Sequence, residues 1–265
     1  MAYHKEREKR AEKEQPVEEK KSMFEDIIAG RNPCMEALRA GVSIEQVFCA
    51  AGEKNGSLPA ILKEAAAKGV PVKEVHPAKL KALCGSDNHQ GIVMQKSFAK
   101  DVTLEELLAN IPRDKGLVVI CDGIEDPHNL GAIIRSAEAA GAQGVICKRR
   151  HSAPIGAVCY KASAGACSHL PVVRVANLSQ AAEALKAAGF WLYAAEADGV
   201  NATKTSLADR SVALIIGSEG KGVSRLMKEA SDGILSLPML GKVNSLNASV
   251  AAGILLYEVV RQRMA

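Results

Sequence analysis

Short apolar runs rich in β-branched residues alternate with segments of helical periodicity through the second half of the chain. The first run, Leu117 to Cys121, ends in a polar turn, and residues of helical spacing follow it at once. Strands linked by helices pair in parallel and bury both faces, so they are apolar throughout. The pattern therefore predicts an α/β domain with a parallel sheet between two layers of helices. We place its strands near 117–122, 144–148, 171–175, 191–195, 212–216 and 233–237, and its helices near 130–140, 155–160, 179–188 and 222–230.

Composition divides the chain into four segments. Residues 1–25 hold seven basic and seven acidic side chains and almost nothing to bury, so we predict a disordered, solvated tail. We interpret residues 26–98 as a small α/β module, residues 99–115 as a connector and residues 116–265 as the large α/β domain. In the small module we place helices near 33–40 and 58–68, and extended segments near 46–50, 70–75 and 91–95.

Charge, cysteine usage and hydropathy exclude several classes of protein. The 34 basic and 30 acidic side chains give a net charge of +4, which permits binding to a polyanion without requiring it. The seven cysteines form no CxxC pair, which favours a reducing compartment and argues against a zinc site. No stretch reaches the roughly 18 apolar residues of a membrane span. We therefore predict a cytoplasmic protein without a metal or a membrane segment.

The first strand of the large domain runs into a polar motif, Asp122 to Arg135. Asp-Pro at 126 and 127 ends the strand, and helical periodicity begins after it. Asn129 lies in the first turn of this helix, while Gly131 and Arg135, one turn apart, share the side opposite to its apolar face. Open α/β sheets bind ligands at the carboxyl ends of their strands, so we predict a site here.

A second apolar strand ends in the glycine-rich turn Gly217 to Gly222. Glycines allow a ligand to approach the backbone closely, although a tight turn without a ligand has the same composition. Two nucleotide-binding motifs do not fit. Val223 stands where a phosphate-binding loop requires lysine, and Arg225 stands where the dinucleotide fingerprint requires its third glycine.

The third motif runs from Leu237 to Ala251 and leads into the final helix, which Ser245 or Asn247 could cap. Together, in this order and spacing, the three motifs resemble those of the SpoU (TrmH-like) class of SPOUT RNA methyltransferases. The segments Ile28 to Pro33 and His89 to Gly91 resemble the two ends of the substrate-binding domain of that class.

The resemblance implies a fold, an activity and a partner. The large domain would carry a trefoil knot that holds S-adenosyl-L-methionine, and the reaction would methylate a ribose 2′-hydroxyl of RNA. Within the class the chain is most similar to enzymes that modify a guanosine of bacterial 23S ribosomal RNA. A guanosine of tRNA is the alternative substrate, and a non-catalytic RNA-binding protein of the same fold is the alternative from a different class.

The resemblance also assigns roles to the motif residues. It implies that Arg135 acts at the acceptor hydroxyl with Asn129 beside it. Because arginine essentially never deprotonates, we assign Arg135 to phosphate binding and to polarising the hydroxyl, with Glu219 as the alternative proton acceptor. The full set implied for catalysis is Arg135, Asn129, Glu219 and Asn247, and that for the cofactor is Gly217, Leu237, Met239, Ser245 and Leu246. A bulky residue at position 217 is then expected to fill the cofactor pocket.

Basic residues outside the tail are candidates for RNA contacts. The densest cluster, Lys148, Arg149 and Arg150, follows the second strand of the large domain, at the sheet edge expected to hold Asn129. A solvated loop is the alternative interpretation of this cluster. Lys161 matches a family region near the acceptor, and Arg31 either contacts phosphate or has a structural role.

The final helix, 247–262, is apolar around much of its circumference. Residues such as Val250, Ile254 and Leu256 cannot all face one sheet. In SPOUT proteins this helix lies at a dimer interface beside the cofactor. We therefore predict a homodimer through this helix, close packing at Gly253, and Arg135 reaching the partner's donor pocket.

Overall fold

The computed structural model of the chain describes residues 26–52, 54–99, 102–112, 114–243 and 245–265. The predicted charged tail, residues 1–25, lies outside the described residues. The chain divides into two compact units, with the boundary between Lys96 and Ser97. Residues from the predicted connector, such as Leu107, pack in the core of the second unit.

The first unit is a four-stranded mixed sheet with helices on both faces. Its strand order is β1-β4-β2-β3, with β2 parallel to β3 and β4 antiparallel to both β1 and β2. Separate apolar clusters cover its two faces, as the small α/β module requires. The elements are β1 (Ile27–Ala29), α1 (Arg31–Arg39), β2 (Ile44–Ala50), α2 (Leu58–Ala67), β3 (Val72–Val75), α3 (Pro77–Cys84) and β4 (Ile92–Lys96).

The second unit is built on a six-stranded sheet of order β10-β8-β9-β5-β6-β7, in which every pair of neighbours is parallel. Apolar clusters fill both faces, which confirms the predicted α/β architecture. The strands are β5 (Leu117–Asp122), β6 (Gly144–Lys148), β7 (Val172–Val175), β8 (Phe190–Asn201), β9 (Ser211–Gly217) and β10 (Gly233–Ser236). The helices are α4 (Leu104–Ala109), α5 (Pro127–Ala139), α6 (Ala157–Ala162), α7 (Leu178–Ala187), α8 (Arg225–Ala230) and α9 (Ala248–Met264).

The strand order places the first two motifs side by side. β5 and β9 are neighbours in the middle of the sheet, and all six residues of β5 are buried. Their last paired residues are Asp122 and Gly217. Since both strands run in the same direction, the polar turns that follow them leave the sheet at the same edge.

Two local expectations from the sequence are wrong. Gly131 does not share the exposed side of α5 with Arg135, because it is buried where α5 crosses α6. A Cβ added at Gly131 would lie 2.6 Å from the Cβ of Ala162 and 2.7 Å from the carbonyl oxygen of Cys159, so this glycine allows two helices to approach closely.

The second difference concerns β8, which continues to Asn201 rather than ending near residue 195. Its pairing with β10 shifts register between Ile234 and Leu235, whose partners on β8 are Ala194 and Val200. The intervening residues of β8, 195–199, form a bulge in the pairing with β10.

The cysteines and the apolar helices are those of a packed interior. All seven cysteines are free thiols, and burial raises the pKa of Cys34 to about 12. Within the described ranges, no helix is both long and apolar enough to cross a membrane. The same part of the chain contains no group of three or more His, Cys, Asp or Glu side chains that could hold a metal ion.

Candidate active site

The turn after β9 leaves no space for a side chain at Gly217, the last residue of the strand. A Cβ at Gly217 would lie 2.1 Å from the carbonyl carbon of Gly222 and 2.2 Å from the amide nitrogen of Val223. Ser218 and Gly222 close the turn through two backbone hydrogen bonds, of 3.2 and 2.9 Å. A larger residue at 217 would therefore collide with the backbone of the turn, which corrects the expectation that it would fill a pocket.

Two carboxylates hold the far end of this turn, and sequence reasoning gave neither a role. Asp122 is buried, and its Oδ2 accepts a hydrogen bond of 2.8 Å from the amide of Ser224. Glu196 accepts one of 2.7 Å from the amide of Val223 and forms an ion pair of 2.9 Å with Lys228. Asp122 is the first residue of the first motif. No local pattern in β8 indicated a role for Glu196, because the backbone amide to which it is hydrogen-bonded lies 27 residues away in the chain.

The three motifs meet in a cluster of two amides and one carboxylate, which we call the amide–carboxylate cluster. Its members are Asn129 from the start of α5, Glu219 from the turn and Asn247 before α9. The Nδ2 of Asn129 donates to Oε1 of Glu219 at 3.1 Å, and the Nδ2 of Asn247 donates to Oδ1 of Asn129 at 2.9 Å and also to Oε1 of Glu219.

Asn247 also caps the final helix. Its Oδ1 accepts hydrogen bonds from the amides of Ser249 and Val250, at 2.9 and 3.3 Å. Capping and membership of the cluster therefore coexist in one side chain, because the carboxamide has both an acceptor and a donor. Ser245, the other candidate cap, lies outside the helix.

A cavity of about 750 Å³ opens beside the cluster. It lies between the bulge of β8, the turn after β9 and the segment that leads into α9. Apolar side chains such as Leu235 and Leu255 form part of its wall, and Glu196 adds a carboxylate. All five residues that the sequence predicted for the cofactor lie in this wall: Gly217, Leu237, Met239, Ser245 and Leu246.

A second cavity, of about 470 Å³, lies on the other side of the turn. It is lined by the residues after β5, by Lys148 and by Asn129. Ser218, Glu219 and Gly222 line both cavities and therefore form a common wall between them. The carboxylate of the cluster stands in that wall.

Arg135 lies apart from the other predicted catalytic residues. It is exposed, two turns along α5, and lines neither cavity. Within the described ranges of the chain its guanidinium makes no hydrogen bond or ion pair. The convergence of Asn129 and Arg135 expected from the first motif is therefore absent within a single chain.

The predicted RNA contacts fall into different environments. Lys148 lines the second cavity and forms an ion pair of 3.4 Å with the buried Asp122. Arg149, Arg150 and Lys161 are exposed. In the first unit, the side chain of Arg31 donates to the carbonyl oxygen of Gln90 at 3.1 Å and to Oδ1 of Asn55 at 2.9 Å, and a phosphate contact by this residue stays a prediction.

The final helix carries an apolar stripe that the described part of the chain leaves about half exposed. Val250, Ile254 and Tyr257 are 48, 45 and 51% exposed and follow each other along one side of α9. Gly253 lies next to this stripe and faces α5 of the same chain, where an added Cβ would lie 3.5 Å from Oγ of Ser136. This distance is an ordinary van der Waals contact, so the close packing predicted at Gly253 in a dimer stays a prediction.

Comparison with known proteins identifies the family to which this fold and site belong. Residues 116–257 match the SpoU rRNA Methylase family, and residues 27–101 match the RNA 2′-O ribose methyltransferase substrate binding family. A protein of Staphylococcus haemolyticus, whose name places it in the TrmH family of tRNA/rRNA methyltransferases, is 40% identical over 243 residues, covering 91% of this chain and 97% of the relative.

Solved structures agree with this assignment. An AdoMet-bound rRNA methyltransferase from Sinorhizobium meliloti is 25% identical, with a TM-score of 0.59 over 90% of this chain and 88% of that chain. The SpoU methyltransferase AviRb from Streptomyces viridochromogenes, in complex with AdoMet, is 28% identical, with a TM-score of 0.56 over 90% of each chain. The resemblance seen in the motifs is thus confirmed, and the chain belongs to the SpoU/TrmH family of RNA methyltransferases.

Proposed function

We propose that this protein transfers the methyl group of S-adenosylmethionine to a ribose 2′-hydroxyl of RNA, on a guanosine of 23S ribosomal RNA. One observation carries the proposal: polar side chains from all three motifs meet in the wall between two cavities. Methyl transfer needs such an arrangement, because donor and acceptor must be held face to face and away from water.

The larger cavity fits the methyl donor. Its volume of about 750 Å³ lies within the range of about 300–1,000 Å³ that is usual for small-molecule sites. Leu237 and Leu246 provide apolar surface for an adenine ring. Gly220, where nothing lies within 4 Å of an added Cβ, leaves backbone exposed for close approach. When bound, the donor supplies a methyl group on a sulfonium, so the protein contributes alignment and removal of the hydroxyl proton.

We assign the role of proton acceptor to Glu219. Its Oε1 accepts hydrogen bonds from both asparagines of the cluster, which fixes the direction of the carboxylate. Its Oε2 makes no hydrogen bond within the described part of the chain and is left for the acceptor hydroxyl. Arg135 keeps the role of binding the adjacent phosphate and polarising the hydroxyl, since a guanidinium offers several N–H donors and no acceptor.

Arg135 would reach the site of a second copy. The apolar stripe on α9 supports a homodimer, since three partly exposed large side chains at helical spacing form a continuous surface. α9 packs against α5 through Gly253 and Ser136, the residue next to Arg135. A dimer through the stripe would therefore bring Arg135 to the interface. The trefoil knot likewise stays a prediction from the family resemblance.

Two other functions are less well supported. A tRNA guanosine is the alternative substrate, and the name of the Staphylococcus haemolyticus relative includes both kinds of RNA. A non-catalytic RNA-binding protein would not need an ordered carboxylate between two cavities, so the amide–carboxylate cluster argues against that alternative.

Mapping of ribose methylation in cellular RNA tests the proposal. Cells that lack the protein would be supplied with the wild type, with Glu219→Ala, or with Glu229→Ala as a matched control on the exposed surface of α8. We expect one guanosine of 23S ribosomal RNA to lose its 2′-O-methyl group without the protein and to regain it with the wild type and the control only. A lost methyl group in tRNA would favour the alternative substrate, and an unchanged map would contradict the function.

A further inference from the structure

Four carboxylates line the second cavity, and three of them accept at least one hydrogen bond from the chain itself. Asp122 accepts from Lys148 and from the amide of Ser224. The Oδ1 of Asp126 accepts from the amide of His128 and so caps α5. The third, Glu219, belongs to the amide–carboxylate cluster.

The fourth carboxylate, that of Glu125, has no bonding partner within the described residues. It is exposed, and within the described residues it makes no hydrogen bond and no ion pair, although it lies in the wall of a cavity that also holds Lys148 and Lys221. A carboxylate without a partner in a concave site is able to accept two hydrogen bonds from a ligand. Glu125 therefore offers two acceptor oxygens to a ligand with two neighbouring donors.

The backbone around Glu125 is fixed. The carbonyl oxygen of the preceding residue, Ile124, accepts hydrogen bonds of 2.7 Å from the amide of Ala153 and 3.4 Å from Oγ of Ser152. The Ile124 side chain is buried in the core, and the following residue, Asp126, is the helix cap. Recognition by a side chain requires such support, since a loosely held group cannot select one hydrogen-bonding pattern.

We infer that Glu125 selects guanine by accepting hydrogen bonds from N1–H and the N2 amino group of its Watson–Crick edge. This inference rests on the proposed function and adds the residue that reads the base. Among the four RNA bases, guanine is the one with two adjacent donors on that edge. Adenine and cytosine present one donor beside an acceptor, and uracil presents a single donor between two carbonyl groups, so each would place an acceptor against the carboxylate.

The position of the cavity agrees with this role. A guanine against Glu125 would lie on the second-cavity side of the common wall, which carries Glu219. Its ribose would then lie between the base and the amide–carboxylate cluster. Lys221 and His151, which also line this cavity, supply positive or hydrogen-bonding groups for the flanking phosphates.

The test pairs a protein variant with a change in the base. Wild-type protein, Glu125→Gln and the control Glu138→Gln would be assayed on two synthetic RNAs that carry the mapped sequence, with guanosine or inosine at the target. Glu138 is an exposed carboxylate of α5, the helix that follows Glu125, and lies outside both cavities. Inosine lacks the N2 amino group but keeps N1–H.

We expect Glu125→Gln to lower kcat/KM on the guanosine RNA by about 10- to 100-fold, since a hydrogen bond to a charged group contributes about 1.5–3 kcal/mol. Inosine should lower the wild-type value by about 10-fold and leave the Glu125→Gln value unchanged, because the lost contact is the same one. Glu138→Gln should resemble the wild type on both RNAs.

Three results would overturn the inference alone: equal activity of Glu125→Gln and wild type on guanosine, an equal loss by both proteins on inosine, or a mapped target that is not guanosine. A wild-type protein that methylates neither these RNAs nor total ribosomal RNA would instead overturn the proposed function. The two failures are therefore distinguishable.

Discussion

Gly217→Ala is the substitution whose effect the structure defines best. The added Cβ would lie 2.1, 2.2 and 2.4 Å from three backbone atoms of Gly222 and Val223. Rotation of a side chain cannot relieve this overlap, because every atom involved belongs to the backbone. The turn must open, which weakens the two hydrogen bonds between Ser218 and Gly222 and shifts the amides that Glu196 and Asp122 hold.

The magnitude follows from these contacts. Forcing a methyl group into a packed site typically costs about 1–3 kcal/mol, and each of the two weakened hydrogen bonds contributes about 1 kcal/mol. We therefore expect a loss of roughly 3–5 kcal/mol in the free energy of unfolding of the second unit. For a unit of this size that loss lowers Tm by roughly 6–20 °C.

Calorimetric scanning and titration with S-adenosylmethionine would measure both consequences. The matched control is Gly241→Ala, where nothing lies within 4 Å of the added Cβ and the backbone is not left-handed. We expect a change below about 0.5 kcal/mol for the control, and an increase of more than about 10-fold in the donor Kd for Gly217→Ala. A Gly217→Ala protein with wild-type Tm and donor affinity would refute the reasoning.

Three further predictions concern catalysis, assembly and acid stability. Arg135→Ala should abolish methyl transfer and leave the donor affinity measured by calorimetry nearly unchanged. Arg135→Lys should also transfer poorly, because lysine lacks the planar, forked guanidinium. Near-normal turnover by either variant would remove Arg135 from the mechanism. Ile254→Asp should dissociate the proposed dimer in sedimentation equilibrium, whereas the control Leu226→Asp, at an exposed position on α8, should not. A dimeric Ile254→Asp protein would contradict an interface through the stripe. A hydrogen bond from Arg261 holds the pKa of Glu258 down to about 2, so its contribution is present above the ordinary carboxyl pKa and is lost as the pH falls toward 2. Urea unfolding at a series of acidic pH values should show a steeper loss of stability for the wild type than for Glu258→Gln, and parallel curves would contradict this.

The parts of the fold that the sequence predicted well are those with strong local signals. β5 and β6 lie where expected, at 117–122 and 144–148, because both are short β-branched runs buried on both faces. The three-residue strand β1 and the helix α3 gave no usable signal, since Leu80 is the one residue of α3 described as buried. The extension of β8 arises from its bulged pairing with β10, a contact that no local pattern encodes.

The site was predictable to the extent that its residues follow strands. Asn129 was expected at the carboxyl end of β5, where open α/β sheets bind ligands, and the family resemblance added Glu219 and Asn247. The structure brings the three side chains together. Arg135 lies two turns along α5, exposed and outside both cavities, which its place in the first motif did not indicate. Glu196 and the open carboxylate of Glu125 become visible only when the hydrogen bonds of their neighbours are known.

Replacement of a single ribose tests the central claim most directly. The purified protein would be incubated with methyl-labelled S-adenosylmethionine and two RNAs that carry the mapped sequence, one natural and one with a 2′-deoxy sugar at the target nucleotide, followed by digestion and mass spectrometry of the nucleosides. We predict a 2′-O-methylated guanosine from the natural RNA and no product from the 2′-deoxy RNA. A methyl group on the base, or equal labelling of both RNAs, would contradict the assignment of a ribose 2′-O-methyltransferase.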